Sequence, residues 1–172
     1  MRLKAVILAV VIIIAMIVLS LMLPKEEGHK IAAVVGLEAP DFQLKDTNGN
    51  VWKLSNLKGR VVFVNFWASW CAPCREEMPY MESLYKKMQG RPFQMLAILY
   101  KDDPATAMSY MKRNGLDFPV LLDPDGKTAK EYGITGVPET YLVDKTSILR
   151  KKFVGPEPWD SPEALALIGE ML

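Results

Sequence analysis

The sequence predicts an α/β sandwich with a parallel strand core, carried behind one N-terminal transmembrane helix. Three observations predict it. Short runs of β-branched and aromatic residues alternate with longer segments of helical periodicity after residue 36. An uncharged apolar stretch of spanning length stands in front of them. The 172 residues allow one full domain plus a tail and contain no internal repeat, which removes solenoid and propeller architectures.

Residues 1–24 are the predicted anchor. Ala5 to Leu23 carries no charge and only Ser20 as a polar group, close to the ~20 residues that cross a hydrocarbon core. Arg2 and Lys4 precede it, whereas Lys25 is followed by Glu26 and Glu27, so the positive charge places the N-terminus in the cytoplasm and the domain outside. The competing expectation is a cleaved secretory signal. That would have a shorter apolar region and small residues at its cut site, where this chain has Leu21, Met22 and Leu23. Residues 25–35 read as a linker, and 36–172 as the folded domain.

The domain opens with a β-hairpin, Phe42 to Leu44 and Val51 to Leu54, around the Asn48-Gly49 turn pair. Arg60 to Trp67 is a strand buried on both faces, leading into Cys71-Ala72-Pro73-Cys74 and a helix from Ala72 to Met88. Pro73 suits a first helical turn, while Pro79 is expected to kink the helix. Phe93 to Leu99 is a strand, Pro104 to Asn114 a helix closed by Gly115, and Phe118 to Leu122 a strand. After the Asp123 to Gly126 turn come a short helix, Thr128 to Tyr132, a hairpin of Thr140 to Asp144 with Ile148 to Phe153, and a last helix, Pro162 to Met171.

Charge excludes one class of partner. The formal net charge of +1 is spread through the chain, so no basic field exists to hold a nucleic-acid backbone.

The only two cysteines sit two residues apart where a buried strand gives way to a helix start. Thiol–disulfide exchange needs a thiolate, and the free amides and partial positive charge of a helix N-terminus stabilise one. Cys71 is therefore the expected nucleophile. Cys74, one turn inside the helix, is the resolving thiol. A structural disulfide at this spacing would close a tiny loop and stabilise little. A closed zinc site would need four ligands, and the single histidine, His29, is in the linker, so no metal is assigned. The expected cofactor is none beyond the Cys71–Cys74 disulfide.

Trp67-Ala68-Ser69-Trp70-Cys71-Ala72-Pro73-Cys74 resembles the active-site segment of the thioredoxin superfamily, and Val137-Pro138-Glu139-Thr140 resembles its second signature. The resemblance implies a thioredoxin-like three-layer sandwich with a mixed central sheet, an N-terminal β-hairpin and a central α/β insertion. It also implies a cis Pro138, with Val137 offering its backbone to an extended substrate peptide. Ala39-Pro40-Asp41-Phe42, the stretch from Asp103 to Val120 and the anchor are similar to the membrane-anchored TlpA/ResA-like branch and its relatives in cytochrome c maturation. That branch implies a bacterial inner-membrane protein with its domain in the periplasm, acting on extracytoplasmic protein disulfides such as the haem-attachment cysteines of apocytochrome c. A membrane thiol protein would supply its electrons.

Around the dithiol, Trp70 and Pro73 are expected to shape the reactive surface, and Trp67 to be core. Met78, Met81, Leu84 and Met88 form the helix stripe that packs on the sheet. Asn65, inside an apolar strand, needs hydrogen-bond partners. It stands where the resemblance implies an acid that assists proton transfer to the buried cysteine. Two carboxylates could substitute: Glu77, three residues beyond Cys74 on the same helix face, and Glu139, next to Pro138. For each, the other reading is a solvated surface carboxylate.

The leading expectation is a dithiol reductant. A disulfide donor or isomerase uses the same parts in the opposite direction. A peroxiredoxin-like peroxidase would need a threonine or serine three residues before its cysteine, where Cys71 has Ala68 and Cys74 has Cys71. A metal-binding adaptor would use the thiols without turnover.

Overall fold

Seven strands form one mixed sheet in the order β2-β1-β5-β4-β3-β6-β7, in a computed structural model that describes residues 7, 11–19 and 33–172. The strands are β1 (Gln43–Asp46), β2 (Val51–Lys53), β3 (Val61–Trp67), β4 (Phe93–Leu99), β5 (Val120–Leu122), β6 (Glu139–Val143) and β7 (Leu149–Val154). The helices after residue 33 are α1 (Ala72–Lys87), α2 (Pro104–Arg113), α3 (Lys127–Glu131) and α4 (Pro162–Met171). β3, β4 and β5 are parallel, β6 runs antiparallel to β3, and the opening hairpin adds to β5 antiparallel. This is the predicted parallel core with antiparallel margins.

β3 has all seven residues buried because both of its faces are covered. Its period-2 alternation sends Val61, Phe63 and Trp67 into one core cluster and Val62, Val64 and Phe66 into the other. Helices α1, α2 and α4 supply Met78, Met81, Leu84, Ala107, Met111 and Ile168 to the first cluster. On the opposite face, α3 and the N-terminal segment supply Ala129, Ala39, Phe42 and Leu54. The methionine stripe is thus core, with Met78 and Met81 fully buried. Trp67 is core as well.

Element ends shift where one residue cannot pair. β1 begins at Gln43 instead of Phe42, whose ring is buried and whose carbonyl takes the Leu54 amide. Leu54 itself opens a 3-10 turn, Leu54–Leu57, instead of closing β2. β5 begins two residues later than expected, after Pro119, which has no amide hydrogen to give a ladder. α1 continues through Pro79 as one helix, with that ring exposed.

Of the predicted anchor, residues 7 and 11–19 are helical with exposed apolar side chains. The rest of the span 5–23, and residues 25–32 of the linker, lie outside the described residues. Among the described residues no helix is long and apolar enough to cross a membrane.

Candidate active site

The parallel strands β3, β4 and β5 end at one edge of the sheet, and the chain entering antiparallel β6 begins there. Cys71 caps α1 at this edge in an extended conformation. Its Sγ accepts the Cys74 amide at 3.1 Å, so the helix N-terminus already aims a donor at the sulfur. The same amide would hold a thiolate after reduction. The two cysteines are joined as a disulfide; Cys71 is 4% exposed and Cys74 is sealed at 0%. The order of reactivity follows from this geometry, because only Cys71 can be approached from outside.

The loop bearing Cys71 is fastened from the ends of its neighbours. Asp102 accepts the Ser69 amide at 2.6 Å, the Lys101 carbonyl accepts the Trp70 indole N–H at 3.2 Å, and Arg75 donates to the Ser69 carbonyl at 2.9 Å. Asp102 and Arg75 carry no obvious sequence signal for this duty. Trp70 keeps its ring outside, 57% exposed, and Pro73 is half-buried beside it in the first helical turn. Across the disulfide, the Val137–Pro138 peptide bond is cis. The Val137 carbonyl oxygen lies 3.4 Å from Cys71 Sγ. Trp70, Cys71, Pro73, Val137 and Pro138 therefore meet at one surface.

Beneath that surface, Asn65 and Glu77 meet inside the protein. Cys74 and Glu77 share a helix face, and Glu77 is 1% exposed, so it is not a solvated carboxylate. Its Oε1 accepts Asn65 Nδ2 at 2.9 Å, and its Oε2 accepts the Trp159 indole at 3.2 Å and the Glu157 amide at 3.3 Å. Burial pushes its pKa up to about 7; these donors pull the other way without overcoming it, and the Glu157 carboxylate adds to the rise. Asn65 also donates to Thr140 Oγ1 at 2.9 Å, while its Oδ1 has no partner. Thr140, Glu157 and Trp159 were missed in the sequence because they arrive from β6 and from the segment before α4.

Glu139 goes elsewhere. Alternation along β6 turns Thr140 toward Asn65 and α1, and Glu139 with Tyr141 toward the opposite face. Glu139 is 3% exposed, Lys152 Nζ stands 2.7 Å from its Oε2, and the Tyr141 hydroxyl donates to the same oxygen at 2.8 Å. Its carboxylate neither reaches the α1 face nor opens to a substrate. Among the described residues no group of three or more His, Cys, Asp or Glu side chains could hold a metal ion.

The sequence and the fold are matched among known proteins. The Redoxin family model matches residues 34–168. The thiol-disulfide oxidoreductase ResA of Geobacillus thermodenitrificans is 37% identical over 127 residues, covering 74% of this chain and 73% of its own. ResA of Bacillus subtilis is 38% identical over 120 residues, covering 70% and 67%. The crystal structure of a thiol:disulfide interchange protein of the thioredoxin family from Chlorobium tepidum superposes with a TM-score of 0.69 at 28% identity, covering 81% of this chain and 98% of that one.

Proposed function

The chain belongs to the Redoxin family, and from that membership we propose a thiol:disulfide oxidoreductase that acts as a dithiol reductant of protein disulfides. One observation carries it: a helix-capping Cys71 that keeps a 4% opening to solvent is joined to a sealed Cys74, with the Glu77 carboxylate one turn further along the same buried face.

In the reduced protein the Cys71 thiolate attacks one sulfur of a substrate disulfide. A Cys71–substrate bond forms, and the other substrate sulfur leaves as a thiolate. Cys74 then passes its proton to Glu77 and attacks Cys71 Sγ. This closes the disulfide seen in the structure and releases the second substrate thiolate, so two electrons have moved from protein to substrate. A carboxylate with a pKa of about 7 suits that exchange, since it can take and return a proton near neutral pH. The Val137 carbonyl, 3.4 Å from Cys71 Sγ, is suited to hold an extended substrate chain.

The ResA relatives support the reaction type. The substrate class we assign is the haem-attachment cysteine pair of apocytochrome c, with electrons arriving from a membrane thiol protein. Arg2 and Lys4 before the apolar run, and the exposed apolar side chains of helical residues 11–19, support a single anchor in the bacterial inner membrane with the domain outside.

Two measurements test this reading. Cys74→Ala should accumulate mixed disulfides on Cys71 with extracytoplasmic proteins. The equilibrium potential of the pair should lie nearer the roughly −270 mV of thioredoxin than the roughly −120 mV of a strong oxidant. A potential at the oxidising end would reassign the protein as a disulfide donor.

A further inference from the structure

The disulfide is not the only feature at the carboxyl ends of the parallel strands. A cleft of about 410 Å³ opens where β4 and β5 end, lined by Leu99, Tyr100, Ala129 and Ile134 among others. That volume falls in the range, about 300–1,000 Å³, of cavities that take ligands. Two links tie it to the reactive surface. Lys101 in its wall accepts the Trp70 indole through its carbonyl. Ile134 stands three residues before Val137, so the two are at most about 10 Å apart along the chain. Another cleft of comparable size, lined by Asp144, Lys145 and Leu167, flanks the turn at the opposite edge of the sheet and has no such link.

We propose that this cleft is a side-chain subsite, receiving a large apolar or aromatic residue of the substrate polypeptide about three positions from the captured cysteine. The inference rests on the dithiol reading above and adds a specificity element to it. The rim argues for an apolar occupant over a charged one. Asp123 already accepts the amides of Thr128 and Ala129 at 3.2 and 2.8 Å, and Asp125 accepts that of Lys127 at 3.1 Å. Lys101 lies with its Nζ 5.0 Å from the Tyr100 ring centroid. With Lys130 the rim holds two cations and two carboxylates, so its charges cancel and no net field selects an ion. What remains unmatched is the apolar floor, which the Lys101 carbonyl links to the exposed Trp70 ring. An extended peptide held at Val137 advances about 3.3 Å per residue, so its third neighbour stands about 10 Å away, the reach of the Ile134–Val137 segment.

The test uses the reduced full-length protein and short peptides with one cysteine, each activated as a mixed disulfide with a chromophoric aromatic thiol. The Cys71 thiolate attacks the peptide sulfur and releases the aromatic thiolate; Cys74 then displaces the peptide thiol and closes the protein disulfide. Three residues from the cysteine, on either side in turn, stands Gly, Phe, Glu or Lys. The Phe peptide should react about tenfold faster than the Gly peptide on one of the two sides, the gain expected from burying part of one aromatic side chain. In Tyr100→Ala the Phe-to-Gly ratio should fall toward 1. A wild-type ratio near 1 on both sides overturns the subsite, as does a preference for Glu or Lys over Phe. A ratio retained in a Tyr100→Ala protein that still reacts with the Gly peptide overturns its location. If that variant does not fold, the wild-type series decides alone. Failure of every peptide to react would instead strike the dithiol reading itself.

Discussion

Asn65 Nδ2 donates to Glu77 Oε1 at 2.9 Å, joining the central strand to the helix that carries both cysteines. A neutral amide stands where the resemblance implies an acid, and a buried acid stands where helix surface was one reading. The titratable member of the pair stands on α1, and β3 carries the amide. No Lys or Arg among the described residues pairs with Glu77; hydrogen-bond dipoles favour its charge, the Glu157 carboxylate opposes it, and burial keeps it protonated up to about pH 7.

The first prediction concerns rate. If Glu77 accepts the Cys74 proton, resolution of a preformed Cys71 mixed disulfide should accelerate as pH rises through about 7. Glu77→Gln should lose that limb and slow at pH 8 by about 10²-fold, the low end for a positioned base. Glu139→Gln should keep the limb, since its carboxylate lies on the far face with Lys152. Single-turnover release of substrate thiol from pH 5 to 9 reads both. An unchanged profile in Glu77→Gln would remove the proton-transfer role.

The second concerns stability, and its sign is opposite to that of most native carboxylates. Glu77 is raised from 4.5 unfolded to about 7 folded. Below pH 4.5 both states hold the proton and the group is neutral toward folding. Between about 4.5 and 7 the unfolded chain ionises first, and stability falls by a total of roughly 3 kcal/mol, held there above 7. Glu77→Gln cannot ionise, so relative to wild type it should gain stability from pH 5 to pH 8, by about 1–3 kcal/mol once amide hydrogen bonding is allowed for. The unpartnered Asn65 Oδ1 makes the substitution tolerable, because rotation of that amide offers an acceptor to the new side chain. Denaturant unfolding of the oxidised protein at the two pH values measures the difference.

How far this was legible depends on sequence separation. β3 could be read because six apolar residues broken only by Asn65 announce burial on both faces, and the dithiol because its chemistry is local. Glu77 could be placed with Cys74 from helix periodicity alone. Trp159, 82 residues beyond Glu77, could not, since only the packing of the segment before α4 brings its indole to Oε2. Glu139 misled for a related reason. Adjacency to Pro138 suggested the site, but a strand's period of two turns its side chain to the other face.

Trp159 gives the third prediction. Its indole N–H lowers the Glu77 pKa by bonding the charged form. Trp159→Phe keeps most of the ring that stacks edge-on with Phe63 at 4.7 Å and Phe153 at 5.1 Å, yet loses that donor. The pH limb of resolution should therefore move upward from about 7 without disappearing. A limb that stays in place would show that the indole packs without tuning the carboxylate.

Asp102 gives the fourth. Its Oδ2 is the acceptor for the Ser69 amide and its Oδ1 for the Asp103 amide at 2.8 Å, so it holds the Trp70–Cys71 loop to the end of β4. Asp102→Ala leaves the partly buried Ser69 donor unmatched and should cost about 1–3 kcal/mol. Asp102→Asn retains one acceptor and should recover part of that loss. Thermal unfolding of the three oxidised proteins ranks them; equal losses in Ala and Asn would mean the charge, not the bond to Ser69, fastens the loop.

The last prediction takes the pair that lies away from the redox centre. Lys152 Nζ is 2.7 Å from Glu139 Oε2, with the Glu139 side chain 4% exposed and that of Lys152 34% exposed. A half-covered pair of this kind does little for net stability compared with apolar replacements, because desolvating the carboxylate offsets the attraction. Breaking it from one side is different. Lys152→Met would leave Glu139 buried with only the Tyr141 hydroxyl on its charged oxygen, and should cost about 2–4 kcal/mol at pH 8. Adding Glu139→Gln should return most of it, since no buried charge then remains without its cation. The double-mutant cycle at pH 8 should thus show a coupling of at least about 1.5 kcal/mol. Losses that simply add would mean Glu139 draws its compensation from Tyr141 and solvent, and that Lys152 is a surface cation.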